Sequence, residues 1–124
     1  MFMNRVILIG FTGKEAKHST LPGGRSVTRL SLATTKRYKE DEQWKDKTQW
    51  HDLVVYGNTA HYAANVAKGA HLAVEGELTY REYERTIETS SGPVKVQWPV
   101  TEVVIHSIKP LDRSSKEDEP EEAA

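Results

Sequence analysis

Two flat rings and a carboxylate stand at two-residue spacing in the stretch TQWHDLVVYG, residues 48–57. Successive side chains of a strand point to opposite faces. Read as a strand, the stretch turns Trp50, Asp52, Val54 and Tyr56 one way and His51, Leu53 and Val55 the other. The second set reads as a core stripe, and the first offers aromatic surface beside charge. Tyr38, Tyr80 and Tyr83 fall in other strand-like runs, and Trp44 and Trp98 in hairpin regions. Basic residues are interleaved with them: Arg5, Arg29, Lys36, Arg37, Lys39, Lys68, Arg81, Arg85 and Lys95. Single-stranded nucleic acid needs this combination, because each base has a face to stack and each phosphate a charge to pair. Any one ring is equally well explained by packing in a barrel. The Trp50 and Tyr56 pair is less so, since it lies opposite the apolar stripe.

Other chemistry finds little support. The five histidines, at 18, 51, 61, 71 and 106, lack the i, i+4 spacing of a metal pair, and the chain has no cysteine. The segment TGKEAK, residues 12–17, lacks the glycines of a phosphate-binding loop. Asp52 and Glu77 have no evident catalytic partner. The expectation is a binding protein with no catalytic residues, no metal and no cofactor.

The elements that must hold these residues are mostly strands. Residues 5–11 (RVILIGF) and 26–38 (SVTRLSLATTKRY) are strand-like, the second preceded by the reversal LPGG. The charged segment 39–47 (KEDEQWKDK) reads as a solvated hairpin loop leading into the strand that carries Trp50. Residues 58–67 (NTAHYAANVA) are the one helical candidate, with Asn58 or Thr59 as cap and Gly69 to end it. Two strand regions follow, 70–85 and 94–108; Gly76 marks a bulge in the first and Pro99 an edge or bulge in the second. The order β-β-β-α-β-β predicts an all-β fold, a five-stranded OB-fold Greek-key barrel with one short helix between strands 3 and 4.

With 124 residues the chain is one domain with a tail. The segment SSKEDEPEEAA, from 114 to the end, carries five acids and one lysine. Without it, 16 basic residues face 13 acidic ones, so the body is mildly basic although the whole chain is at −1. A polar acidic segment without aromatics buries too little to fold, so residues 1–111 are expected to form the domain and 112–124 a disordered tail. No apolar run approaches the roughly 20 residues of a membrane span. Strand-like sequence starts almost at Met1, which leaves no room for a signal peptide and predicts a cytoplasmic protein.

The segments NRVILIG, SLATTKRY, KTQWHDLVVYG, VAKGAHLAVEGELTYREY and TEVV follow one another in this order. Together they resemble the bacterial single-stranded DNA-binding protein family over residues 4 to 109. The resemblance implies an OB-fold homotetramer that coats single-stranded DNA in replication, recombination and repair, without sequence preference or catalysis. It puts base stacking on Tyr38, Trp50, Tyr56 and Tyr83. Arg5, Arg29, Lys36, Arg37, Lys68 and Arg81 would then line the DNA path, with His51 at a subunit interface. Tyr38 and Tyr83 stand where relatives often have Trp, and Asp52 and Asn58 where relatives often have a basic residue. The family's acidic C-terminal tip, which closes on an aromatic and docks replication and repair proteins, has no counterpart in Glu-Glu-Ala-Ala. An alternative is an OB-fold accessory module of primosome type, acting mainly through protein contacts and carrying fewer rings.

Overall fold

The computed structural model describes residues 1–111; the expected acidic tail, 112–124, lies outside the described residues. Its elements are β1 (Val6–Thr12), β2 (Lys17–Thr20), β3 (Ser26–Glu40), β4 (Gln43–Tyr56), α1 (Asn58–Ala64), β5 (His71–Thr89) and β6 (Gly92–Pro110). The strands hydrogen-bond in the order β1-β5-β6-β4-β3-β2. β1 also pairs with β3 through Phe11 and Ala33, and through Thr12 and Leu32. That pairing closes β1, β5, β6, β4 and β3 into a five-stranded barrel and leaves β2 on the flank of β3. The OB-fold expectation therefore holds, with one strand more than the sequence reading supplied.

Alternation places the core. Leu30 and Leu32 of β3, Leu53 and Val55 of β4, Leu72 and Val74 of β5, and Val103 and Ile105 of β6 all point inward and are buried. Ala60 and Ala63 of α1 close the same cluster. Curling a strand around so small a barrel needs a bend, and β5 supplies it with a register shift between Glu75 and Gly76. A Cβ at Gly76 would lie 2.0 Å from the Val104 carbonyl oxygen, so only glycine fits this approach.

Three expectations are corrected. Lys17–Thr20, too short and polar to show alternation, is a strand because the turn at 21–25 folds it onto β3, with Ser19 opposite Val27. The helix consequently falls between β4 and β5. Residues 39–47 are not a loop: β3 and β4 continue through them to a two-residue turn at Asp41 and Glu42. Both turn residues have positive φ, 52° and 62°, as a type I′ hairpin demands. The helix ends at Ala64 rather than Ala67, and no side chain caps its start at Gly57. Thr12 explains the early end. Its hydroxyl donates to the Ala67 carbonyl (2.7 Å) and accepts from the Ala70 N–H (2.9 Å), drawing the chain out of the helix toward β5.

Beyond the barrel, β3–β4 and β5–β6 run on as two long hairpin arms. Residues 81–91 of the second arm are all exposed. The barrel supplies rigidity and the arms supply reach.

Candidate nucleic-acid interface

The β3–β4 register pairs Ala33 with Trp50, Ser31 with Asp52 and Arg29 with Val54, which puts all six on the outward face of the barrel. Trp50 is 59% exposed. Its other side lies against Gly13, in the link between β1 and β2: a Cβ built there would come within 2.2 Å of the indole Cζ3. The ring is thus bedded on backbone and open on its far side. Around it, Gly13, Lys14, Ser31, Trp50 and Asp52 line a pocket of about 410 Å³. Lys14 and Lys17 border a neighbouring cleft with Arg29 and Asp52, and a further one with Lys68. Three lysines thereby stand beside the Trp50 pocket.

A buried carboxylate organises the centre of the same face. Glu102, in β6, is only 4% exposed. It accepts from Arg29 Nη1 at 2.5 Å, and from Arg81 Nε and Nη2 at 2.9 and 3.1 Å. The bond to Arg29 joins β3 to β6, and β4 lies between those strands, so the bridge passes over β4 at Val54. This accounts for the complete burial of Val54, an outward-facing residue. Burial alone would push the Glu102 carboxyl up, but the hydrogen bonds from Arg81 and Arg29 outweigh it and hold the group below the ordinary glutamate range. The same bond raises the Arg81 guanidinium. Each arginine, more than 40% exposed, keeps N–H donors that Glu102 does not use.

Most other rings on the face already have a cation over them. The Arg25 guanidinium, from the β2–β3 turn, sits 4.3 Å above the Tyr56 ring. Arg85 lies 4.5 Å from the ring of Trp98, and Arg81 lies 5.8 Å from that of Tyr83. Tyr83 and Trp98 are directly opposite each other in the β5–β6 arm. On the β3–β4 arm, Arg37 and Lys39 each stand 5.9 Å from the Trp44 ring, and Arg37 also pairs with Asp46 at 3.6 Å. Alternating cations and π faces make a strip on which bases can stack and phosphates pair.

Several residues singled out by the sequence lie elsewhere. By alternation, Tyr38 and Lys36 share the β3 face of Thr34, opposite to that of Ala33 and Trp50. His51 points the same way and its Nε2 hydrogen-bonds the Thr34 hydroxyl at 2.8 Å. Arg5 pairs with Glu75 at 2.6 Å, on the side of the barrel where Ile7, Ile9 and Phe11 are exposed. Asp52, exposed beside Trp50, makes no ion pair among the described residues; Arg81, on the same face, is bound to Glu102.

A model of the single-strand binding protein family matches residues 3–111. The chain belongs to this family. It is 33% identical over 117 residues to the single-stranded DNA-binding protein of Clostridium tetani, covering 93% of this chain and 74% of that one. It is 28% identical over 102 residues to the single-stranded DNA-binding protein of Treponema pallidum, covering 82% of this chain and 56% of that one. Among solved structures it resembles the Plasmodium falciparum SSB complex with ssDNA, with a TM-score of 0.72 and 29% identity over 90% of this chain and 97% of that chain. It also resembles a deletion mutant of the single-stranded DNA binding protein from Thermus aquaticus, with a TM-score of 0.73 and 25% identity over 91% of this chain and 52% of that chain.

Within this member of the single-strand binding family, several site features escape a strand-by-strand reading. Gly13, Lys14 and Lys17 sit in a segment that shows no periodicity. Glu102 is an acid in the strand segment TEVVI, a placement that could have marked it as buried and partnered. Trp44 joins the Trp50 face only because residues 39–47 are strand.

Proposed function

We propose that the protein binds single-stranded DNA on the face that runs from Trp50 across Arg29 and Arg81 to Tyr83 and Trp98, and that it protects unpaired strands during replication, recombination and repair. The observation that carries this reading is the Trp50 ring, bedded on Gly13 and open on its far side, with Lys14 beside it. Stacking and phosphate pairing are tolerant of sequence and involve no catalytic step. Of the ten DNA contacts expected from the sequence, Arg29, Trp50, Tyr56, Arg81 and Tyr83 share this outward face, Arg37 lies along it on the β3–β4 arm, and Lys68 borders its lysine cleft. Tyr38, Lys36 and Arg5 would engage a strand that wraps around the arm and the barrel. The exposed rings at 44, 50, 83 and 98 favour this reading over a ring-poor accessory module.

The assembly proposed is a homotetramer. The outer face of β1 supports it, because Ile7, Ile9 and Phe11 are each at least 50% exposed and form a continuous apolar stripe. His51 is proposed at a subunit contact. A cytoplasmic location fits this role, and among the described residues no helix is long and apolar enough to cross a membrane. Titrating intrinsic Trp fluorescence with dT oligomers tests the binding: quenching that saturates is expected, and an unchanged signal with no shift in gel mobility would reject it. Light scattering at micromolar concentration should give four times the chain mass, and a monomer there would reject the assembly.

A further inference from the structure

Lys14 borders three clefts at once. It lines the pocket around Trp50, the cleft beside Arg29 and Asp52, and a third of about 490 Å³ that Lys17 and Lys68 share. The three join into one groove, which runs from the indole over the link between β1 and β2 to the link between α1 and β5. Lys14, Lys17 and Lys68 are exposed and in no ion pair among the described residues. Asp52 lines the first two clefts and does not reach the third, where three lysines face the single carboxylate of Glu15. The far end of the groove is thus its most cationic part.

Two links of the chain, more than fifty residues apart, bring these lysines together, and buried Thr12 ties the links to each other. Its N–H donates to the Ala70 carbonyl at 2.9 Å, and its carbonyl accepts from the Gly69 N–H at 3.0 Å. Its hydroxyl spans the same turn, donating to the Ala67 carbonyl and accepting from the Ala70 N–H. Ala67, Gly69 and Ala70 are therefore all bonded to one residue, and Lys68 projects from among them. Lys14 follows Thr12 by two residues. A lysine is a compact point charge suited to phosphate, and the groove beyond Trp50 offers charge without a further ring. We infer that Lys14, Lys17 and Lys68 form a phosphate-binding groove for the DNA backbone next to the base stacked on Trp50, with Thr12 as the residue that positions Lys68 in it. The inference rests on the single-strand-binding reading above.

The test follows the affinity of the full chain for dT oligomers from low to high salt. For single strands log K falls with log salt at a slope of about −0.7 per phosphate neutralised. Lys14→Gln, Lys17→Gln and Lys68→Gln should each make the slope shallower by about that amount. The loss is then about fivefold at low salt and closes over a tenfold rise in salt. Lys95→Gln, on the opposite side of the β5–β6 arm from Tyr83 and Trp98, controls for net charge and should keep the intact slope. Unchanged slopes in the three variants, or an equal change in the control, overturn the groove. Thr12→Val removes the hydroxyl at nearly constant shape, with Thr12→Ala in its place if circular dichroism shows that it does not fold. Either should make the slope shallower in the intact chain and leave it alone in a Lys68→Gln background, whereas Thr12→Ser should keep the intact slope. A merely structural Thr12 would weaken binding equally at every salt concentration, with or without Lys68, and that result overturns the positioning role. Failure of the intact chain to bind any dT oligomer would instead overturn the single-strand-binding reading, and the groove with it.

Discussion

Trp50 and Tyr56 lie on one strand, face the same way and are six residues apart, yet the structure gives them different surroundings. Trp50 rests on Gly13, whose missing side chain lets the indole settle against backbone, and its outer side is free. Tyr56 has the Arg25 guanidinium 4.3 Å over its ring. Between them, the bridge from Arg29 through Glu102 to Arg81 crosses β4 and seals Val54. Availability for stacking is therefore decided by neighbours distant in sequence, one a glycine and the other an arginine. Alternation along β4 identifies both rings and distinguishes neither.

The sharpest way to break this comparison is Trp50→Ala. Stacking is worth about 1–3 kcal/mol per base, so dT affinity should drop tenfold or more while the far-UV circular dichroism stays unchanged. Equal affinity in a folded variant would remove Trp50 from the binding face.

The bridge between the rings should make its own large difference, in stability rather than binding. Because the folded-state carboxyl of Glu102 is held below its ordinary value, its contribution is fully present above the unfolded glutamate value of about 4.3 and is lost as pH falls through the lower folded value. Glu102→Gln should lower the melting temperature at pH 7 and flatten the decline of stability from pH 5 to 3. Thermal melts across that range decide it, and parallel curves for the two proteins would show that the carboxylate contributes nothing to acid sensitivity.

Next in size is Gly13→Val. Its side chain occupies the space under the indole and should tilt Trp50 out of place, weakening dT binding about threefold, part of the loss of a full stacking contact. Unchanged affinity would mean that the bed on Gly13 does not orient the ring.

The smallest effect belongs to Tyr56→Ala, about twofold or less, since a base must displace Arg25 before it can stack there. In an Arg25→Ala background the same change should cost more, because the ring is then uncovered. A double-mutant cycle on dT affinity measures the difference. Additive losses would show that Arg25 does not withhold the Tyr56 ring from stacking.

How far the sequence foretold the molecule follows from what alternation can carry. The inward residues Leu30, Leu32, Leu53, Val55, Leu72 and Val74 are legible because large apolar side chains recur at every second position, and the bend at Gly76 is legible because glycine in a strand has few other uses. β2 was illegible, as four polar residues become a strand only when the turn at 21–25 brings them to β3. The charge of residues 39–47 reads as a loop, whereas an arm solvated on both faces can carry charge on either. At the site, Trp50 and its face could be read. The Glu102 bridge could not, since it spans more than seventy residues of sequence from Arg29, and the cover over Tyr56 comes from a turn that alternation does not describe.

The long arms have a consequence for how the molecule samples open states. Amides in the barrel wall, beneath buried leucines and valines, open only with the whole fold, whereas the β5–β6 arm, with residues 81–91 exposed throughout, is bonded to solvent on both sides and can fray from its tip. Deuterium uptake in the free protein should therefore run as a gradient, fast near residue 90 and slow near Leu72 and Val74. A strand of DNA laid along the arm would flatten that gradient from the tip inward, recording residue by residue how far the bound strand extends.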